Sequence, residues 1–269
     1  MPKKEIIYGI GPVFEMLRAG RRRCHAVFAS RDTNDAAAGK VIAAARKLGT
    51  KIVELKKSEL GSKLKGENHQ GVAAEVDEFE YVDSAEIVSA SKTEGGVGFV
   101  VILDGITDPH NLGSIIRSAH LFGVDGIILP QDNSASITPT VAKTSAGALE
   151  YVKIAQVTNI NREIDRLKKI GFWVAGADGE SGENVYLHDF KDENIAIIFG
   201  SEGRGLRRLV REKCDYLLSI PMKGVVGSYN ASVAAALMIG EVARQRWFLA
   251  HANSVLGSTK YLDKKGFLP

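Results

Sequence analysis

The chain has 269 residues, 45% of them hydrophobic and 25% charged, and a formal net charge of +3. Those proportions belong to a folded globular protein and exclude wholesale disorder and collagen-like repeats. The longest apolar run, Val233 to Ile239, is far short of the ~20 residues a bilayer-spanning helix needs.

Two cysteines, Cys24 and Cys214, make no disulfide framework. The start, MPKKEIIYG, carries no apolar core followed by a small-residue cleavage site, so a reducing cytoplasm is the expected compartment. The charge is unevenly spread. Residues 1–75 hold 15 Lys and Arg against 8 Asp and Glu, while residues 76–269 hold 20 against 24. A basic leading module suits a polyanionic partner, although a solvated basic surface reads equally well from charge alone.

In chain order, residues 10–17 carry apolar side chains at helical spacing and stop near Gly20. Residues 24–29 read as a strand, 36–48 as an Ala-rich amphipathic helix, 52–55 as a strand, 58–64 as a short helix and 72–76 as a third strand. This is the β/α alternation of a small sandwich, with no strand expected ahead of Gly9. Acidic, Ser-rich and then Gly-rich, residues 77–97 read as a linker with a short helix at 84–90.

From Phe99 the apolar runs lengthen. Phe99 to Leu103, Ile127 to Leu129 and Ile195 to Phe199 are apolar on both faces, the mark of a parallel sheet covered by helices. Weaker strands fall at 151–157, 172–175 and 216–220, with helices at 112–122, 140–148, 160–170, 206–213 and 231–248. The expected division is a domain over 1–76, a linker over 77–97, an α/β domain of about six strands over 98–250, and a polar, basic tail over 251–269.

Common catalytic signatures are missing. No GxxxxGK[ST] occurs, and Gly9-Ile10-Gly11 continues as Pro12-Val13-Phe14, which fails the dinucleotide fingerprint. No HExxH and no Cys pair at zinc spacing is present, so no metal is expected.

Three loops follow strands at the carboxyl ends, where open α/β sheets bind ligands. The first runs Leu103-Asp104-Gly105-Ile106-Thr107-Asp108-Pro109-His110-Asn111-Leu112-Gly113 and on to Arg117. Pro109 turns the chain, Asn111 can cap the next helix, and Arg117 lies on it, which by spacing alone also suits a surface arginine. The second, Phe199-Gly200-Ser201-Glu202-Gly203-Arg204-Gly205-Leu206, places three glycines in six residues and so brings backbone close to something. Glu202 within it would repel a phosphate, which favours a ligand with hydroxyls or a positive charge. The third, Ser219 to Ser232, runs into a long Ala-rich helix that Ser228 or Asn230 would cap.

Taken together and in this order, the loops resemble the three motifs of the SpoU (TrmH-like) family of RNA ribose methyltransferases, over roughly residues 97–248. The basic front module resembles the ribosomal-protein-like substrate-binding domain found ahead of that catalytic domain. The resemblance implies a deep trefoil knot, a homodimer with its site at the interface, and S-adenosylmethionine held by backbone at Gly200, Ile220 and Tyr229. Asn111, Arg117, Glu202, Ser228 and Asn230 match the family's active-site positions. Arg117 stands where the family's proposed proton acceptor does, with anchoring of the target phosphate as the alternative. The chain departs from the family at Tyr229, usually Leu, and at Ala231, often Val.

The full-length arrangement implies 2′-O-methylation of a guanosine in 23S ribosomal RNA. A transfer RNA methyltransferase, or a ribosome-assembly protein that only binds RNA, are the other readings. Arg21, Arg22 and Arg23 are the leading RNA-binding candidates in the basic module, since clustered guanidiniums pair with phosphates.

Overall fold

In the computed structural model, which describes residues 3–32, 35–93, 97–180 and 183–248, the β/α repeats of the basic module build a four-stranded sheet. Its strands are β1 (Lys4–Tyr8), β2 (Cys24–Ser30), β3 (Ile52–Leu55) and β4 (Val72–Asp77), in the order β1-β4-β2-β3. β4 runs antiparallel to both its neighbours, and β2 and β3 are parallel. The helices are α1 (Ile10–Ala19), α2 (Ala36–Lys47) and α3 (Lys57–Lys63). α1 stops because Gly20 takes a left-handed φ of 64° and returns its N–H to the carbonyl of Met16. α2 starts at Asp35, whose carboxylate accepts from the N–H of Ala37 at 2.7 Å.

β1 was not expected. KEIIY is too short to show alternation, and its conformation comes from pairing Lys4–Tyr8 against Asp77–Ala73 of β4. A strand therefore does precede Gly9. It pairs antiparallel, so the parallel βαβ unit that a dinucleotide fingerprint needs is still not formed.

The stretch read as a linker is pinned to the second domain. Tyr81 accepts at its hydroxyl from the N–H of Ile137 at 2.9 Å, and Val82 bridges to Ala155. Helix α4 (Ser84–Thr93) then buries Ile87 completely. The acidic and Ser-rich composition hides these few apolar anchors.

The second sheet holds β5 (Phe99–Asp104), β6 (Gly126–Pro130), β7 (Ile154–Val157), β8 (Trp173–Ala177), β9 (Ile195–Gly200) and β10 (Tyr216–Leu218). All are parallel, in the order β10-β8-β9-β5-β6-β7. The helices are α5 (Pro109–Leu121), α6 (Pro139–Thr144), α7 (Ile160–Lys169), α8 (Arg208–Lys213) and α9 (Ala231–Ala243), with a 3-10 turn at Ala148–Glu150 and a π-helical end at Arg244–Phe248.

The continuous apolar runs follow from this layering. Val101, Leu103 and Ile197 face one way, into a cluster with Ile115 and Ile116 of α5 and Ile239 of α9. Val100, Ile102 and Ile198 face the other way, with Ile164 and Leu167 of α7 and Ile87 of α4. Each such buried side chain contributes roughly 1.5–3 kcal/mol against exposure. The end of α9 is fastened by Arg246, which donates to the carbonyls of Val97 and Phe190 at 3.0 Å each. Burial pulls its guanidinium down to about 10.

The two domains share one apolar cluster that includes Ile7, Val13 and Met16 on one side and Val141, Leu149 and Ile154 on the other. Arg22 is buried in the same junction, between Glu5 and Glu150. Its expected role as a phosphate contact does not fit this placement, because all its charge is spent inside the protein. Arg21 donates to the carbonyls of Glu150 and Val152 at 3.3 Å each, and Arg23 is exposed. Spacing made the three arginines a cluster, but the turn after α1 sends their side chains different ways.

Candidate active site at the carboxyl ends of the parallel strands

The strand order turns back between β5 and β9: the chain leaves β5 toward β6 and β7 and re-enters the sheet on its other side. Loops leaving adjacent strands at such a point diverge and open a crevice. A cavity of about 610 Å³ lies there, lined by the Asp104–Asp108 turn, Asn111, Glu202, Arg204 and Arg207 among others.

The first loop is built on Asp108, which caps α5 by accepting from the N–H of His110 at 3.0 Å, with Pro109 as the first helical residue. Asn111 is therefore not the cap expected from the sequence. It sits in the first turn, buried, with its amide free to reach across the crevice.

The second loop is a tight turn in which the N–H groups of Ser201 and Gly205 donate to each other's carbonyls at 3.1 and 2.9 Å. Gly203 and Gly205 take φ of 79° and 64°. A Cβ on Gly200 would overlap the carbonyl group of Gly205. In the third loop Asn230, not Ser228, caps α9, its Oδ1 accepting from the N–H of Ser232 at 2.9 Å.

The three loops meet in one polar triangle. Asn111 Nδ2 donates to Glu202 Oε1 at 2.6 Å. Asn230 Nδ2 donates to Asn111 Oδ1 and to Glu202 Oε1, both at 3.0 Å. Three of the residues singled out from sequence thus contact one another from three separate loops. Ser228 and Tyr229 are exposed beside this triangle in sequence, Ile220 is buried just beyond β10, and Gly200 ends β9.

Arg117 is not part of the triangle. Six residues past Asn111 it has turned about 240° round the helix. It is exposed and lines a second cleft of about 340 Å³ with Glu15, Arg18, His120 and Tyr151.

Sequence reading missed one pair. Asp104, buried at the end of β5, accepts from Arg207 Nε at 3.0 Å and from its Nη2 in a closer contact. The hydrogen bonds to Asp104 push the Arg207 guanidinium above its ordinary range. The pair ties the first loop to the start of α8, just past the second. An Asp closing a fully apolar strand run was the available signal, because such a carboxylate must find a partner.

Among the described residues no group of three or more His, Cys, Asp or Glu is placed to hold a metal, and no helix is long and apolar enough to cross a membrane.

Known proteins are similar to this chain in sequence and in fold. Residues 98–240 match the SpoU rRNA Methylase family, and residues 6–82 match the RNA 2′-O ribose methyltransferase substrate binding family. The chain is similar to the 23S rRNA (guanosine-2′-O-)-methyltransferase RlmB of Coxiella burnetii, 40% identical over 91% of this chain and 98% of that one. It is also similar to a protein of Staphylococcus haemolyticus named for the TrmH family of tRNA/rRNA methyltransferases, 50% identical over 66% of this chain and 71% of that one. Among solved structures, the SpoU methyltransferase AviRb from Streptomyces viridochromogenes in complex with AdoMet has the same fold. Its TM-score is 0.75 at 24% identity, with 90% of each chain covered. Carrying both family regions in order, and related to RlmB along nearly its whole length, the chain belongs to the SpoU rRNA methylase family.

Proposed function

We propose that this protein transfers the methyl group of S-adenosylmethionine to the 2′-hydroxyl of a guanosine in 23S ribosomal RNA, working in the cytoplasm as a homodimer. The observation that carries the reading is the Asn111–Glu202–Asn230 triangle, which joins all three family loops at the carboxyl ends of β5 and β9. The near full-length relationship to an enzyme named for that reaction supports it.

The cofactor supplies a sulfonium methyl. Backbone groups at Gly200, Ile220 and Tyr229 would hold it, and the crowding around Gly200 fits a loop pressed close by its own backbone. The residues around Ser219 to Asn230 would form the threaded part of a trefoil knot. In the triangle, Glu202 accepts from two amides and fixes both; Asn111 and Asn230 then orient the ribose, with Ser228 beside them.

A ribose hydroxyl is a weak nucleophile near neutral pH and needs orientation or a base. Arg117 meets that need only from another chain, since its own triangle lies on a different side of α5. The exposed Leu121, Phe122, Val233 and Leu237 on the packed helices α5 and α9 are the surface a second copy would cover. The Arg117 guanidinium would act there through its planar fork on the ribose phosphate.

The test is transfer of labelled methyl from S-adenosylmethionine by the purified chain, followed by nucleoside analysis. Label in 2′-O-methylguanosine of 23S ribosomal RNA supports the reading. Label only in transfer RNA moves the substrate to the second relative's class, and none in either leaves a binding protein.

A further inference from the structure

Arg22 sits on the turn after α1, in the basic module, and Glu150 on the 3-10 turn between α6 and β7, in the methyltransferase domain. Both are almost wholly buried, with side-chain exposures of 5% and 2%. Arg22 Nε donates to Glu150 Oε2 at 3.1 Å and Nη2 donates to Oε1, so the contact is bidentate. Its Nη1 is taken by Glu5 on β1. The neighbouring residues repeat the join. Arg21 holds the carbonyls of Glu150 and Val152, and Tyr151 donates to Glu15 of α1 at 2.6 Å. Three consecutive residues, Glu150 to Val152, are thus gripped by the other domain. The same turn borders the cleft that contains Arg117.

Buried ion pairs are a poor source of net stability, because desolvation offsets most of the attraction. Burial indeed pushes the Glu5 carboxyl up. What a bidentate fork supplies is direction: it is satisfied at one angle between its partners. The apolar cluster that the two domains share holds them together, but apolar contact is non-directional and does not by itself set one angle between them.

We propose that Arg22, held by Glu150 and Glu5, is a positioning residue that keys the basic module to the methyltransferase domain in a single orientation. RNA is then accepted only when its two contacts, one on each domain, are correctly spaced. The RNA part of this inference rests on the proposed function; the fixed orientation does not.

The test uses the full chain with spin labels at Leu48→Cys and Leu187→Cys, both exposed and one on each domain. Cys24→Ala and Cys214→Ala are present in every labelled chain, because both native thiols are free and only half-buried. The parent should give one narrow distance distribution, and Arg22→Met a broad one. Arg22→Met should also raise the half-saturating concentration of 23S ribosomal RNA about tenfold or more, ~1.4 kcal/mol in apparent affinity. Its rate at saturation and its cofactor affinity should stay near the parent's. Glu150→Gln keeps an acceptor for the fork and should fall between; if Arg22→Met does not fold, it carries the same comparison alone.

A narrow distribution in the variants would overturn the proposal. So would an unchanged half-saturation, or a loss confined to saturating rate and cofactor binding, which is what a merely structural role produces. Absence of methyl transfer by the parent would refute the enzyme reading, and the distance distributions would still decide the clamp.

Discussion

Asn230, the cap of α9, and Asn111, in the first turn of α5, meet side chain to side chain, Nδ2 to Oδ1 at 3.0 Å, and both also donate to one oxygen of Glu202. With Asn230 Oδ1 committed to capping α9, its amide can point only one way. The same commitment fixes Asn111. A carboxylate is the group that can serve both donors, because it accepts and never competes as a donor while ionised.

Glu202→Ala leaves the buried Asn111 Nδ2 without its acceptor and Asn230 Nδ2 with only Asn111 Oδ1, and should lower single-turnover methyl transfer at least ~10²-fold, the scale of losing a positioned catalytic group. Glu202→Gln keeps one acceptor and should lose less. Equal rates for Glu202→Ala and the parent would remove the triangle from the mechanism.

Gly200→Ala forces a Cβ into the Gly205 carbonyl. The loop must open, and cofactor affinity measured by calorimetry should fall more than ~10-fold, roughly 1.4 kcal/mol or more. Gly224→Ala, where an added Cβ meets nothing within 4 Å, should bind as the parent does.

Arg117→Ala should cost at least ~10² in methyl transfer with cofactor binding retained, and Arg117→Lys should also fail because the planar fork is lost. Mixing Arg117→Ala with Glu202→Ala distinguishes the site that Arg117 serves. If it serves the partner's site, each mixed dimer regains one intact site, and activity returns to about a quarter of the parent's by two-fold symmetry. No recovery would place Arg117 in its own chain's chemistry.

Acid stability should depend on Glu241. Its hydrogen bonds from Arg244, at 2.7 and 2.8 Å, and from Gln245 hold the carboxyl below its ordinary value of 4.5. A carboxyl depressed on folding adds stability above its unfolded value and loses it as pH falls through the folded one. Urea midpoints between about pH 3 and 6 should therefore fall less steeply for Glu241→Gln than for the parent.

The sheet of the methyltransferase domain was legible because β5, β6 and β9 are apolar on both faces, a pattern few alternatives produce. β1 was not, because five residues with two adjacent isoleucines acquire their conformation from β4. Local spacing placed Asn111 at a helix start but could not show that Asp108 takes the cap and frees it. The same limit applies to Arg21, Arg22 and Arg23: neighbours in sequence, they were read as one surface, whereas the second domain buries Arg22. Contacts such as Asp104 with Arg207 join residues about a hundred positions apart, and periodicity carries no information at that range. The tail over 251–269 lies outside the described residues.

On the proposed function, one ribose in the large ribosomal RNA receives the methyl group. Ribose-methylation mapping of total RNA, from cells with and without this protein, tests it directly. The expected result is loss of 2′-O-methylation at a single guanosine of 23S ribosomal RNA, restored by the parent chain and not by Glu202→Ala. An unchanged 23S profile, or a loss found only in transfer RNA, would contradict it.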